Sequence, residues 1–409
     1  MYIPFSPPDI TEVEINEVAE ALKSGWITTG PRVKKLEKKI AEFVGSGFSD
    51  DGTPRCVCLN SQTACAEMTL RLLGIGKGDE VITSAYTYTA SASVIDHVGA
   101  KIILIDTQKD SLEMDYDALE KAINKKTKAV IPVDLGGIPC DYDRIFKIVE
   151  KKRSLFTPSE NDIQKAIGRI VVLADAAHAF GATYHGKPVG SIADFSAFSF
   201  HAVKNFTTGE GGAAVWKHID GLSDSDIYRE YQLLSLHGQS KDAFSKDQPG
   251  AWEYDIVGTY YKCNMTDVAA AMGLGQFTRL TKLLEKRRKI IEKYDAALRP
   301  LGVKSLPHFT EDHVSSGHLY ITNVPDITRK ERNEIIEKMA EKGVCCNVHY
   351  KPLPLHTAYK NLGFDAKDFP NAVARFINEI TLPLYTLLNE KETDYVIESY
   401  VGILKEYLK

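Results

Sequence analysis

Ser199-Phe200-His201-Ala202-Val203-Lys204-Asn205-Phe206-Thr207-Thr208-Gly209-Glu210-Gly211-Gly212 sets a lysine in a short polar loop. The apolar run Phe195-Ser196-Ala197-Phe198-Ser199-Phe200 leads in as a β-like segment, and the glycines lead out into Ala213-Ala214-Val215-Trp216. A lone lysine is usually a solvated surface charge. Aromatic residues on both sides of this one imply a partly apolar setting. Desolvation there disfavours the ammonium and exposes a nucleophilic amine, and such an amine forms Schiff bases with carbonyl groups.

Upstream, Arg169-Ile170-Val171-Val172-Leu173-Ala174 reads as a buried strand with Asp175 at its carboxyl end, and Ala176-Ala177-His178-Ala179 follows. Ligands of open α/β sheets sit beyond the carboxyl ends of the strands. A carboxylate there can keep the pyridine nitrogen of pyridoxal phosphate (PLP) protonated, so that the ring serves as an electron sink. Asp175 and Lys204 lie 29 residues apart, enough for one more strand to bring the chain back. Taken alone, Asp175 is more often a helix cap or turn residue. With Lys204 in place, the balance reverses.

Asp175-Ala176-Ala177-His178, the Ser199 to Asn205 run and Thr207-Thr208-Gly209-Glu210-Gly211-Gly212 together resemble the DegT/DnrJ/StrS-type nucleotide-sugar aminotransferases, a branch of the fold type I PLP enzymes. The resemblance runs from about Ile3 to the C-terminus. It implies an α/β fold: a large domain with a mostly parallel seven-stranded sheet between helices, plus a smaller C-terminal α+β domain. The expected division is an N-terminal arm and helices over 1–45, the PLP-binding domain over 46–260, a long linking helix over 261–300 and the small domain over 301–409.

Composition agrees with a globular enzyme. The 409 residues suffice for a large and a small domain. The net charge of −5 implies no general attraction to nucleic acid or anionic membrane. No apolar run approaches the ~18 residues of a membrane span. Met1 to Pro8 lacks the basic and apolar regions of a signal peptide, so a cytoplasmic location is expected. The seven cysteines (56, 58, 65, 140, 263, 345, 346) are odd in number and do not form a disulfide framework. They read as reduced and mostly buried. No Cys-x-x-Cys or His-x-x-x-His spacing supports a metal site.

Along the chain, Asp9 to Phe43 reads as two amphipathic helices around the loop Ser24-Gly25-Trp26-Ile27-Thr28-Thr29-Gly30-Pro31. That loop is either a binding loop or a plain turn anchored by Trp26, and the resemblance places it at the sugar-nucleotide mouth, with Trp26 and Thr29 touching substrate. From Arg55, strands and helices alternate as in βαβ units. Asn60-Ser61-Gln62-Thr63 offers caps for a helix from Ala64 to Leu73, and a helix N-terminus is a natural seat for a phosphate. The resemblance seats the PLP phosphate on the backbone of Thr63 and Ala64, with the Ser199 hydroxyl added. It makes Tyr88 the residue that stacks on the ring, with Tyr86 as the fallback.

Ser154 to Gln164 reads as a surface insertion, and His237 through Asp247 as a candidate active-site flap. A long helical run extends from Val268 towards Leu298, capped by Thr266 or Asp267. Asn264, before it, is either a turn residue or, by resemblance, a contact to the PLP phosphate of the neighbouring subunit. Beyond Gly302, Ser316 to Ile321 and Val344 to Val348 read as strands around a helix from Arg329 to Lys342. The loop His349 to His356 lies near the substrate by resemblance. His318 and His349 are more often structural than ligating; both are kept as candidates, His349 as a substrate contact.

The implied chemistry is a ping-pong transamination. Lys204 holds PLP, is displaced by an amino donor, and then acts as general base and acid. Asp175 fixes the ring proton, and His178 meets the ring face or its phenolic oxygen. The resemblance implies L-glutamate as donor and, as acceptor, a keto-sugar on a nucleoside diphosphate, foremost a 4-keto-6-deoxyhexose. The setting it implies is cell-surface polysaccharide or deoxyamino-sugar biosynthesis, and the assembly a homodimer with shared active sites. Dehydratases of the family carry histidine at the lysine position, so Lys204 argues against that branch. Ala202-Val203 stands where proline and a hydroxyl residue are common, a departure expected to alter loop packing alone. A cysteine desulfurase would need a reactive cysteine on a mobile loop. A non-catalytic sugar-nucleotide-binding regulator would not need the Asp175 and Lys204 pair.

Overall fold

A computed structural model describes residues 1–240 and 253–408. From Cys56 to Trp216 the chain lays down nine strands: β1 (Cys56–Leu59), β2 (Glu80–Ser84), β3 (Lys101–Ile105), β4 (Thr127–Ile131), β5 (Val171–Asp175), β6 (Thr183–Tyr184), β7 (Lys187–Pro188), β8 (Phe195–Ser199) and β9 (Gly212–Trp216). Seven of them form one sheet in the order β1-β9-β8-β5-β4-β2-β3. β9 alone runs antiparallel to its neighbours. The expected mostly parallel seven-stranded sheet is therefore present. β6 and β7 form a small hairpin outside it, extended by β11 (His313–Val314).

Six of the seven strands are buried along their whole length. That is why they read as continuous apolar runs rather than alternating ones. The pleat still divides them. Val57, Leu59, Val171 and Leu173 pack into one apolar cluster with α3 (Gln62–Leu72) and α4 (Ala90–His97). Cys56, Cys58, Val172 and Ala174 face a second cluster with α2 (Pro31–Phe43), α5 (Tyr116–Ala122) and α6 (Tyr142–Lys151). Successive side chains of a strand point to opposite faces, so each face acquires its own helical layer.

The N-terminal arm forms α1 (Glu12–Lys23), opened by a capping box between Thr11 and Glu14, and then α2, with Pro31 in its first turn. Proline suits that position because its missing N–H would have no intrahelical acceptor. The long helical run expected after Asn264 is instead two helices, Asp267–Phe277 and Leu280–Leu298. At the join the amides of Thr278 and Arg279 donate to Gly275 O and Gln276 O, and the Arg279 side chain binds Glu14 Oε1 at 3.0 Å and Asp9 Oδ1 at 3.0 Å. Thr266 caps the first of these helices. Asp267, the other cap candidate, is fully buried and serves α2: its carboxylate accepts from the amides of Gly30, Arg32 and Val33 at 2.9–3.0 Å.

The C-terminal part pairs β10 (Lys304–Ser305), β12 (Tyr320–Asn323) and β13 (Glu379–Leu382) in one antiparallel sheet. The helices Arg329–Glu341 and Glu390–Leu404 pack on it around a third cluster that includes Ile335, Val396 and Tyr400. Two local expectations fail here, and a third, the surface insertion, lies mostly at the surface but is tied down. Ser316 to Leu319 is not strand: the amides of Ser316 and His318 donate to the carbonyls of Gly137 and Gly136, so this segment wraps the end of the large sheet. Val344 to Val348 makes single bridges to Ile3 and Thr381 rather than a ladder. The insertion at Ser154 to Gln164 is anchored, because Gln164 is fully buried and donates to Leu73 O at 2.7 Å, and the short helix α7 (Asp162–Ile167) begins within it. The flap expected through Asp247 lies, from residue 241 onward, outside the described residues.

Candidate active site

Four connections at the carboxyl edge of the sheet converge on one cavity of about 510 Å³. Its walls come from Ser61, Gln62 and Thr63 at the start of α3, from Tyr88 before α4, and from Asp175 and His178 after β5. Ser199 and Lys204 after β8, and His349 and Tyr350 from the C-terminal part, complete it.

Asp175 is 5% exposed at the end of β5. Its carboxylate accepts from the Ser91 hydroxyl at 2.6 Å and from the Ala177 amide at 3.2 Å. Burial pushes this carboxyl above its usual range, while Ser91, Ala177 and the charge of Lys204 pull the other way. Lys204 follows a tight turn in which its N–H donates to His201 O at 2.9 Å. Beneath the turn, Phe206 packs against Phe180, Phe200 and Phe277 with ring centroids 4.8–5.0 Å apart. Asn205 donates to Phe180 O at 2.8 Å. The flanking aromatics thus hold the loop rather than touch the amine. Burial lowers the Lys204 ammonium to about 8, against the opposing pull of Asp175. A buried carboxylate and a desolvated amine at one cavity is the pairing required for imine chemistry.

His178 Nδ1 accepts from the Gly136 amide at 3.1 Å. Burial, and then the charges of Lys204 and His349, hold its imidazole well below the ordinary value, so the ring is neutral. A neutral imidazole carries one proton. That proton sits on Nε2, which donates to Tyr350 Oη at 3.3 Å. His318 supports the ring from its other side at 4.3 Å between centroids.

Ser61 is the N-cap of α3, and its Oγ accepts from Ala64 N at 3.1 Å. The amides of Gln62 and Thr63 are left with no intrahelical acceptor, as helix geometry dictates. Of the expected phosphate pair, Thr63 lines the cavity and Ala64 does not, because its N–H is committed to the cap. Gly212 explains how the helix start comes so close to the sheet. A Cβ there would lie 2.5 Å from Gln62 N and 2.5 Å from Ser61 C. Gly212→Ala is expected to displace the first turn of α3, at a cost of about 1–3 kcal/mol. Thermal unfolding with and without PLP should show lower stability and a smaller PLP-induced rise than wild type.

Tyr88 is 61% exposed at the cavity, 5.9 Å from the Tyr350 ring, whereas Tyr86 is buried in the core and does not line the cavity. His349 lines it too. Trp26, Thr29 and Asn264 do not. Asn264 Nδ2 donates to Thr29 Oγ1 at 2.5 Å, and Thr29 Oγ1 donates to Met265 O at 2.7 Å, so the two form their own cluster within the chain. Sequence reasoning did not single out Ser91, Gln62 or Tyr350. Ser91 has a local signal, since it stands three residues after Tyr88 on the entering helix. Tyr350 is legible only as the neighbour of His349.

Ser91→Ala removes the shortest bond to Asp175, which lowers that carboxyl. The carboxyl then titrates higher. The acid limb of kcat is expected to move to higher pH, with turnover at neutral pH down about tenfold, the size of one lost bond to a charged group. A pH–rate profile checks this.

The residue set fits PLP. The buried carboxylate stands ready for a cationic ring nitrogen, the amine for the aldehyde carbon, and the close approach allowed by Gly212 brings free helix amides within one cavity for the phosphate. Among the described residues, no three His, Cys, Asp or Glu side chains are grouped to hold a metal ion, and no helix is long and apolar enough to cross a membrane.

Known proteins agree with this geometry. A profile of the DegT/DnrJ/EryC1/StrS aminotransferase family matches residues 8–401. The chain is 36% identical to the spore coat polysaccharide biosynthesis protein SpsC of Bacillus subtilis, over 99% of this chain and 97% of that one. Its structure resembles Spr1654 of Streptococcus pneumoniae, a chain assigned as a sugar aminotransferase, solved in apo, pyridoxamine phosphate and PLP forms. The TM-score is 0.95, with 54–56% identity over 99–100% of both chains. PseC of Helicobacter pylori, an aminotransferase involved in pseudoaminic acid biosynthesis, matches with a TM-score of 0.85 and 27% identity, over 99% of this chain and 100% of that one. The chain belongs to the DegT/DnrJ/EryC1/StrS aminotransferase family, whose enzymes depend on PLP.

Proposed function

We propose that this enzyme moves an amino group from L-glutamate to the keto-sugar of a nucleoside-diphosphate-linked sugar, a 4-keto-6-deoxyhexose, for cell-surface polysaccharide or deoxyamino-sugar synthesis in the cytoplasm. The observation that carries the reading is the meeting of Lys204 and Asp175 at one cavity. The names of SpsC and PseC support the sugar and the biosynthetic setting.

PLP, when bound, supplies an electron sink for the negative charge that develops at the reacting carbon. Asp175 holds the ring nitrogen's proton with its carboxylate, oriented by Ser91. Lys204 Nζ, poised at about 8, is unprotonated in a useful fraction of molecules near neutral pH. It takes the proton from the donor's α-carbon and returns one to the sugar carbon that receives nitrogen. His178, neutral and pinned at both nitrogens, presents its ring to the cavity as a fixed wall. Ser199 and the first-turn amides of α3 hold the phosphate.

A homodimer is part of the proposal, with Asn264 reaching the partner's cofactor and Trp26 and Thr29 reaching its sugar nucleotide. Their absence from the cavity of their own chain suits such a role. Cys345 and Cys346 do not line the cavity either, which speaks against a desulfurase. Incubating the PLP-loaded enzyme with glutamate and a panel of keto-sugar nucleotides should release 2-oxoglutarate with one subset. Release with none of them, while the lysine still binds PLP, would reject the sugar assignment.

A further inference from the structure

Glu379 is fully buried at the start of β13, and the chemistry above does not use it. Its Oε2 accepts from the backbone amide of His349 at 2.9 Å. Its Oε1 accepts from the Thr381 hydroxyl at 2.5 Å. Thr381 Oγ1 in turn lies 3.0 Å from His349 Nδ1. One face of His349 is covered by Phe5, stacked at 5.4 Å. With Nδ1 committed to Thr381, the nitrogen that His349 offers to the cavity is Nε2.

A hydroxyl has one proton to give, and a neutral imidazole has one to place. Burial and the charge of Lys204 hold His349 down to about 3, so its ring stays neutral. The chain Glu379–Thr381–His349 therefore has two complete arrangements. With Glu379 ionised, the carboxylate is acceptor-only and takes the Thr381 proton. Thr381 Oγ1 then accepts from Nδ1–H, and Nε2 faces the cavity as a bare acceptor. With Glu379 protonated on Oε1, the carboxyl donates to Thr381 and Thr381 donates to Nδ1. The ring proton then stands on Nε2, which faces the cavity as a donor.

We propose that Glu379 is a positioning residue that, through Thr381, decides whether His349 presents a hydrogen-bond donor or an acceptor to a hydroxyl of the bound sugar. The inference rests on the substrate cavity described above and deepens that reading by naming what sets the polarity of one wall. The groups facing Glu379 are few. Arg332, from the helix Arg329–Glu341, is the cation among them, and its Nη1 donates to the Glu379 carbonyl at 3.2 Å. Tyr86 comes from just beyond β2, Cys346 from the segment before His349, Tyr350 from the position after it, and Tyr400 from the last helix. All four are held above their ordinary values mainly by burial, and so are neutral. Burial raises Glu379 to about 8, which puts both arrangements within reach of physiological pH.

The test uses PLP-loaded enzyme labelled with ¹⁵N-histidine, the His349 signals being assigned by their loss in His349→Gln. Nitrogen shifts report which ring nitrogen carries the proton. Wild type is expected to hold it on Nε2 well below pH 8 and on Nδ1 well above. Glu379→Gln must turn its carbonyl to the His349 amide and its NH₂ to Thr381, so Nε2–H should persist at both pH values. Thr381→Val should abolish the pH response with the carboxylate intact. With the acceptor sugar, KM of wild type should change about tenfold across the same span and Glu379→Gln should lose that change, while kcat, which follows the titration of Lys204, should keep the same pH profile in both proteins. A wild-type tautomer that does not move with pH overturns the proposal, as does a Glu379→Gln or Thr381→Val protein that still switches. A switching tautomer with an unchanged KM overturns the substrate-facing role. The nitrogen shifts are read without turnover, so a failed sugar assignment remains distinguishable from a failed relay.

Discussion

Lys204→Ala is expected to lower transamination by at least about 10⁴-fold, because one substitution removes both the covalent anchor and the proton carrier. Borohydride should then no longer fix PLP to the protein. The fold should persist, since the loop is held by Phe206, Asn205 and Thr207 rather than by the lysine. Apoprotein stability supplies a second readout. The native ammonium titrates at about 8, below its unfolded value, so the unfolded chain binds more protons in between. Wild-type apoprotein should therefore gain stability as pH rises from about 8 towards the ordinary lysine value, and Lys204→Ala should lack this gain. A Lys204→Ala protein with intact turnover would refute the assignment outright.

Asp175→Asn should cost about 10²–10³-fold in kcat, the usual price of removing one preorganised charge partner from a dry site. Side-chain shape is conserved and the amide oxygen can still accept from Ser91, while the longer bond from the Ala177 amide is given up. Stability should move the other way. Burial holds the native carboxyl above its unfolded value, so the native state binds more protons over that interval and loses stability as pH rises through it. Asparagine removes the loss, and the apo variant should melt at or above wild type at neutral pH. Activity lost with stability kept or gained is the signature of a functional rather than a structural charge. Equal loss of both, measured by kcat and by thermal unfolding of the apoprotein, would return Asp175 to the role of a turn residue.

Much of the architecture was legible because its signals are local. Six wholly buried strands appear as short apolar runs, and the residues that end them mark the carboxyl edge of the sheet. Expectation and structure part where a residue answers to a distant partner. The linking helix breaks at Thr278 and Arg279, whose amides turn back to Gly275 and Gln276, and at that join the Arg279 guanidinium meets Asp9 and Glu14, more than 260 positions away. Asp267 looks like the cap of its own helix and is the cap of α2. Ser316 to Leu319 has the composition of a strand and spends its amides on Gly136 and Gly137. In each case propensity proposed one partner and tertiary packing supplied a better one.

The sequence by itself determined the chemistry. A lysine in a loop after one strand and an aspartate at the end of its neighbour suffice for the cofactor reading, because adjacent parallel strands must deliver both to the same edge. Only the tertiary structure decided the electrostatics. How far burial lowers Lys204, which nitrogen of His178 carries the proton, and that Ser91 and Tyr350 meet the site all depend on residues up to 172 positions apart, through side chains meeting in a dry interior that no local pattern records.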